Sequence, residues 1–160
     1  MPDDKKPITQ NVNNSFWFER IHNNGADTYA SGEIVGTLGE LNVRGQGGGG
    51  VIRRFLVGNN ESQSFPMRIH FFRREPSEFE DTDTYAPVWP NDFLKYAGWE
   101  DVAAGNYESY GTVRIAQLKA VNVDFSCPVN GRLYYYVEAR GAGTFAAANA
   151  IGLLFGDWPD

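Results

Sequence analysis

The sequence predicts an all-β domain, a β-sandwich of jelly-roll-like type with about eight strands and an extended N-terminal arm. The 160 residues include 18 glycines and 8 prolines, and 14% are aromatic, a composition that suits pleated, half-buried surfaces. Short segments of alternating polar and apolar residues recur between turn residues. No long stretch has the periodicity of an amphipathic helix, so the class is all-β.

The chain length suits one domain with its own hydrophobic core. Residues 1–14 are polar, contain Pro2 and Pro7 and show no periodicity, which predicts an extended arm that becomes ordered on a partner. The sandwich itself is expected to span residues 15–160.

Alternation predicts four strands in the N-terminal half, at residues 15–21, 33–38, 51–57 and 65–73. A glycine-rich loop over residues 45–50 precedes the third strand. Three prolines and an acidic run then interrupt the pattern over residues 74–110, which predicts a long insertion over one end of the sandwich. One short helix is expected at residues 92–96, capped by Asn91.

Four more strands are expected in the C-terminal part, at residues 112–118, 120–125, 132–140 and 150–157. Asn130 and Gly131 predict a tight turn before the third of these. The tyrosines at positions 134–136 must alternate between the two faces of their sheet. We therefore expect at least one of those faces to meet solvent or a partner.

The charge and the cysteine count exclude several classes of protein. A net charge of −6 argues against a surface that follows nucleic-acid phosphates. We therefore expect no nucleic-acid partner. No secretory signal or membrane-length apolar run is present, so we also expect no membrane association and an aqueous compartment. Cys127 is the only cysteine, which excludes an intrachain disulfide and favours a small buried hydrophobic residue.

No motif predicts catalysis, a cofactor or a metal. The glycine-rich loop lacks the Gly-Lys-Ser/Thr ending of a phosphate-binding loop, and it precedes a strand rather than a helix. The only histidines, His22 and His70, have no partner at a spacing that identifies a nucleophile or a metal centre. A solvated loop is the better interpretation of the acidic residues considered for calcium, Glu78, Glu80, Asp81, Asp83 and Asp92.

The aromatic residues allow three interpretations: a sugar-stacking platform, a protein interface, or packing in the core. The set comprises Trp17, Trp89, Trp99, Trp158, Tyr107, Tyr110 and the tyrosines at 134–136. Trp158 lies between Gly156 and Pro159, where a strand cannot easily continue. It either folds back over the sandwich edge or, as we expect, anchors in a neighbouring subunit.

Charge is segregated along the chain. Residues 44–74 contain six arginines and one acid, whereas residues 75–108 contain nine acids and one base. The basic and acidic regions can pair with each other within one molecule, or they can dock head to tail with the opposite regions of copies and partners.

The order of segments resembles a family of virion proteins of tailed bacteriophages that decorate or cement capsids. The resemblance rests on the aromatic first strand, the segment DTYASGEIVG at residues 27–36, and the glycine-rich loop leading into Val51 and Ile52. It continues through the Phe-rich strand, the long acidic loop, the segment GRLY at 131–134 and the ending GDW at 156–158.

That resemblance implies a non-enzymatic decoration protein located on the virion, which binds the major capsid protein and copies of itself as a dimer or trimer. A tail or neck component, a carbohydrate-binding module and, least favoured, a glycoside hydrolase or lyase are the alternatives. The residues expected at the partner interface are Pro7, Ile8, Arg73, Arg74, Trp89, Trp99, Tyr107 and Trp158.

Overall fold

The computed structural model describes residues 17–42, 49–119, 121–126 and 132–156. The predicted arm, with Pro7 and Ile8, lies outside these ranges, as do Cys127 and Trp158. Within them the chain is built almost entirely of antiparallel strands. The prediction of an all-β, sandwich-like fold is confirmed.

The described part of the chain contains thirteen strands and one short helix. The strands are β1 (Trp17–His22), β2 (Thr28–Tyr29), β3 (Gly39–Asn42), β4 (Gly49–Ile52), β5 (Arg54–Asn59), β6 (Met67–Phe72), β7 (Tyr96–Val102), β8 (Tyr107–Tyr110), β9 (Val113–Leu118), β10 (Val123–Ser126), β11 (Arg132–Ala139), β12 (Gly143–Thr144) and β13 (Ile151–Gly156). Helix α1 (Asn91–Lys95) precedes β7, and a 3-10 turn (Ala104–Asn106) precedes β8.

Two larger sheets and two strand pairs make up the fold. The five-stranded sheet has the order β1-β13-β5-β9-β8, and the four-stranded sheet has the order β3-β11-β6-β7. Strand β10 pairs with β4, and β12 pairs with β2. Most neighbours within a sheet are distant in sequence, so the fold depends on long-range pairing.

The main core lies between the two larger sheets. Phe55 of β5 and Phe155 of β13 project from one sheet, and Phe71 of β6 and Tyr135 of β11 project from the other. Phe155 is central, with its ring centroid 5.2 Å from that of Phe55, 5.7 Å from Phe71 and 6.2 Å from Tyr135. Alternation along each strand places these side chains on the inner faces.

A second apolar layer covers the other face of the four-stranded sheet. Residues 73–95, here called the covering segment, pack Phe79 and Tyr85 against Phe72 and Tyr136. The predicted insertion therefore lies across a sheet face rather than over one end of the sandwich. The expectation that one face of the tyrosines at 134–136 is exposed is wrong, since all three are at most 3% exposed.

Several predicted strand boundaries also need correction. The strand expected at residues 51–57 is two strands, β4 and β5, because the backbone of Arg53 bonds instead to Gly156 and Val121. Residues 33–38 form only isolated bridges at Glu33 and Ile34. Strands β7 and β8 lie inside the region predicted to be irregular.

Helix α1 is present, but its start differs from the prediction. Its N-cap is Pro90, and Asn91 is the first helical residue. Proline at the cap has no side-chain oxygen to accept a hydrogen bond, so the helix relies on other contacts. One such contact is the hydrogen bond that the carboxylate of Asp92 accepts from the Val88 backbone amide, at 2.7 Å.

Candidate functional site

Exposed apolar side chains are concentrated in one short stretch. Among the described residues, seven large hydrophobic side chains are exposed, and five of these lie between positions 88 and 99. We call the five the aromatic patch: Val88, Trp89, Phe93, Leu94 and Trp99, which are 51–75% exposed. Contiguous apolar surface of this kind marks interaction sites on soluble proteins.

Helix α1 sets which way most of the patch faces. Asp92 points inward and is buried, so the helical spacing turns its neighbours Phe93 and Leu94 outward. Trp89 packs on Phe93, with the ring centroids 4.9 Å apart. The rings of Trp89 and Phe93 therefore form one exposed pair rather than two separate side chains.

Trp99 extends the patch onto strand β7. Its ring lies 6.2 Å from Tyr96 in a stacked arrangement, and the guanidinium of Arg68 lies 5.3 Å from its centroid. Arg68 is held in place by two hydrogen bonds to Asp101, of 2.6 and 2.8 Å. These contacts across β6 and β7 fix the orientation of the indole.

A cavity of about 280 Å³ opens beside the patch. Aromatic and aliphatic side chains form most of its wall, and His70 and Asp92 contribute the polar part. The lining residues are His70, Phe72, Tyr85, Pro87, Val88, Trp89, Asp92, Phe93 and Tyr96. Its volume falls just below the usual range for small-molecule pockets, which suits a single inserted side chain.

His70 is fixed on both ring nitrogens. Nε2 lies 2.6 Å from Oε2 of Glu138, and Nδ1 lies 2.6 Å from the hydroxyl of Tyr96. Because a carboxylate only accepts hydrogen bonds, Nε2–H of His70 donates to Glu138. The ring also packs against Tyr85 in a tilted arrangement, with the centroids 4.3 Å apart, and it forms part of the cavity wall.

Glu138 and its partners form a buried network beneath the cavity. Burial opposes ionisation of this carboxyl, but hydrogen bonds and charge from His70 and then Arg140 outweigh it, so the pKa lies below its usual range. Arg140 donates to Oε1 at 3.1 Å. The carboxylate is thus neutralised by neighbours within the chain.

Asp92 holds the covering segment in place. Its Oδ1 accepts the backbone amide and the hydroxyl of Ser77, at 2.8 and 3.0 Å, and its Oδ2 accepts the Val88 amide. Burial opposes ionisation, yet these hydrogen bonds keep the pKa of Asp92 below its usual value. One side chain therefore joins both ends of the segment that carries most of the patch.

Acidic residues surround a second cavity of about 300 Å³ on the covering segment, lined in part by Glu75, Glu78, Glu80 and Asp81. Asp81 bonds to the Gly36 amide and accepts the hydroxyl of Tyr29. Across the described ranges, no group of three or more His, Cys, Asp or Glu side chains has the arrangement of a metal site.

The structure separates the predicted interface residues into three groups. Trp89 and Trp99 lie in the aromatic patch, and Arg73 and Arg74 are exposed near it, with Arg73 donating to the carbonyl of Tyr96 at 3.0 Å. Tyr107 is half-buried against the main core and donates to the Phe65 carbonyl at 2.8 Å. Pro7, Ile8 and Trp158 lie outside the described residues.

Sequence reasoning missed three members of the patch, Val88, Phe93 and Leu94. The sequence feature that could have identified them is a group of apolar residues among prolines and acids, in a stretch too irregular to form a core strand. Apolar residues without strand or helix periodicity are candidates for an exposed patch.

No protein-family model, curated protein or solved structure matches this chain. In the part that the structure describes, no helix is long and apolar enough to cross a membrane.

Proposed function

We propose that this protein is a non-enzymatic virion protein that decorates or cements the capsid of a tailed bacteriophage. It docks on the major capsid protein through the aromatic patch. The observation that carries the docking function is the concentration of exposed apolar side chains at positions 88–99. The capsid as partner is supported by the resemblance described above.

The geometry favours docking over chemistry. Exposed tryptophans beside a cavity for one side chain are the arrangement of an interface hot spot, where an anchor enters a pocket and the surrounding contacts exclude water. The polar groups around the cavity already have hydrogen-bond partners within the chain, as for His70 and Asp92. The partner is therefore expected to contribute an apolar or aromatic side chain.

The charge around the patch indicates what surrounds that anchor on the partner. The covering segment carries exposed acids at Glu75, Glu78, Glu80 and Asp83 and exposed bases at Arg73 and Arg74, and Asp101 on β7 is paired with Arg68. A complementary surface therefore carries charges of both signs around the anchor, and their arrangement selects the partner.

A carbohydrate-binding module is less well supported. A sugar stacks on a free aromatic face, but Trp89 packs on Phe93 and the guanidinium of Arg68 lies over Trp99. One face of each indole is therefore covered by a protein side chain, which reduces the aromatic surface on which a sugar could stack.

The test is co-sedimentation of the protein with capsids assembled from the major capsid protein. Trp89→Ala is expected to weaken binding by roughly 2 kcal/mol or more, the usual hot-spot threshold. Tyr110→Ala is the matched control, since Tyr110 is an exposed aromatic residue outside the patch. Equal binding by the wild type and Trp89→Ala would refute docking through the patch, and a hit on a glycan array that Trp89→Ala abolishes would favour the carbohydrate alternative.

A further inference from the structure

The cavity of about 280 Å³ beside the aromatic patch, here called the aromatic cavity, has two bases next to its wall. Phe72 and Tyr96 line the cavity, Arg73 follows Phe72 in the chain, and Lys95 precedes Tyr96. The Arg73 amide donates to the Lys95 carbonyl at 2.8 Å, and the Arg73 guanidinium donates to the Tyr96 carbonyl at 3.0 Å. Arg73 is exposed and Lys95 is partly exposed, so both can meet charges on an occupant of the cavity.

The acids near the aromatic cavity are engaged elsewhere. Glu75, Glu78 and Glu80 line the second cavity of the covering segment. Asp92 lines the aromatic cavity, but its carboxylate accepts hydrogen bonds from Ser77 and Val88. The aromatic cavity therefore fits an apolar anchor that has acidic residues on either side of it.

Two large apolar side chains of the predicted interface lie outside the described ranges, Ile8 and Trp158. Ile8 follows the lysines at positions 5–6, which would meet like charges at Arg73 and Lys95. Trp158 belongs to the sequence DWPD at residues 157–160, here called the DWPD segment, in which acids flank the indole. Charge complementarity therefore favours Trp158 as the anchor.

The lining of the aromatic cavity also suits an indole. The rings of Phe72, Tyr85 and Tyr96 offer surfaces for edge-to-face contacts, which aromatic pairs prefer. A buried indole N–H needs an acceptor. Oδ2 of Asp92 accepts one hydrogen bond within the described chain, from Val88, and a carboxylate oxygen can accept two. The cavity thus provides both an apolar wall and an acceptor for Trp158.

We infer that Trp158 of one copy of the chain inserts into the aromatic cavity of a second copy. Gly156 ends β13 in the five-stranded sheet, whereas the cavity lies on the outer face of the four-stranded sheet. The two residues from Gly156 to Trp158 extend at most about 7 Å, and packed sheets are about 10 Å apart. The DWPD segment therefore reaches the cavity of a neighbour and not that of its own chain.

This inference rests on the proposed docking site, because it names what fills the aromatic cavity when no capsid is bound. One cavity admits one anchor, so the DWPD segment and the anchor of the capsid compete. A contact made by so short a segment is far smaller than a standard interface of about 1,600 Å², so the copies associate weakly and the capsid can displace the segment. In the free protein the segment covers part of the exposed apolar surface.

Mixing two variants tests the inference. Trp158→Ala keeps the cavity but lacks the anchor, whereas Trp89→Ala keeps the anchor but lacks part of the cavity wall. In sedimentation equilibrium of the full chain, each variant alone should lose at least about tenfold in self-association. The equimolar mixture should form pairs of twice 17.8 kDa, since one intact anchor and one intact cavity remain.

Controls separate association from folding. Trp89 is 75% exposed, so its replacement should leave the melting temperature unchanged. Phe93→Ala is a second cavity variant, because Phe93 lines the cavity and is 60% exposed. Tyr110→Ala is the matched control and should self-associate as the wild type does, since Tyr110 is exposed outside the patch.

A wild type that stays monomeric up to about 1 mM, or a mixture no more associated than the single variants, would overturn the inference. A lower melting temperature of Trp158→Ala would also overturn it, because the indole would then belong to its own fold. Co-sedimentation with capsids separates this inference from the docking proposal. Trp158→Ala should bind capsids at least as tightly as the wild type, because its competitor is gone, and weaker binding would count against the inference. If the mixture associates but Trp89→Ala still binds capsids normally, capsid docking through the patch fails and the contact between copies stands.

Discussion

Acidification is expected to destabilise this fold through one buried side chain, His22. In the inner row of β1, its Nε2 donates to the Val35 carbonyl at 2.5 Å, and its Nδ1 lies 3.3 Å from the hydroxyl of Tyr135. Burial lowers the pKa of His22 from 6.5 to about 4, although the Val35 hydrogen bond partly opposes that change. The native state therefore holds this ring neutral at pH values where the unfolded chain protonates it.

The sign and the size of the effect follow from proton linkage. Between pH 6.5 and pH 4 the unfolded state binds the extra proton, so the free energy of unfolding falls as pH falls. Each pH unit in that window is worth about 1.4 kcal/mol, which makes the full loss roughly 3 kcal/mol. The stabilisation is complete above pH 6.5 and is lost by about pH 4.

Urea unfolding at intervals between pH 7 and pH 5 measures the first part of this loss, about 2 kcal/mol, and His22→Gln is the control. Glutamine can still donate to the Val35 carbonyl but does not titrate, so the variant should lose the part of the pH dependence that His22 causes. The carboxyls of Asp27 and Glu100, whose pKa values are raised, contribute equally to both proteins and cancel in the difference. Parallel pH profiles for the wild type and His22→Gln would refute the assignment.

Two further predictions concern packing and the covering segment. Gly39→Ala should destabilise the fold by about 3 kcal/mol in urea unfolding, because the added methyl group overlaps the ring of Tyr135, whereas Gly105→Ala should change little. Asp92→Ala should lower the free energy of unfolding by roughly 1–3 kcal/mol, because the buried side chain no longer accepts the Val88 amide. Asp92→Ala should also speed proteolysis within residues 73–95, and an unchanged cleavage rate would contradict the proposed contribution of Asp92.

Simple alternation of polar and apolar residues was enough to locate the regular strands. It placed strands close to β1, β6, β9, β11 and β13, and inward side chains of the last four lie in the main core. Each of these is a half-buried or fully buried run bounded by turn residues, the case in which a period of two is most reliable. The sandwich class followed from these elements alone.

The prediction failed where the covering of a face depends on distant residues. The tyrosines at 134–136 are buried on both sides because Phe79 and Tyr85, from an irregular acidic stretch, pack over their sheet. Nothing local to β11 reveals that cover. Strand β7 was missed for a related reason: Gly98 interrupts its alternation, and its pairing with β6 is irregular at Phe71 and Phe72.

The covering segment has a buried inner side and an exposed outer side, and the outer side chains indicate a function. Its inner side chains, Phe79 and Tyr85, remove apolar surface from water and so stabilise the fold. Its outer side chains, among them Trp89 and Leu94, stay in water, add little to the free energy of unfolding and increase the risk of aggregation. If the segment served only to cover β11, polar residues at these outer positions would leave the stability of the fold unchanged. The aromatic patch is therefore best explained by a contact made outside the monomer.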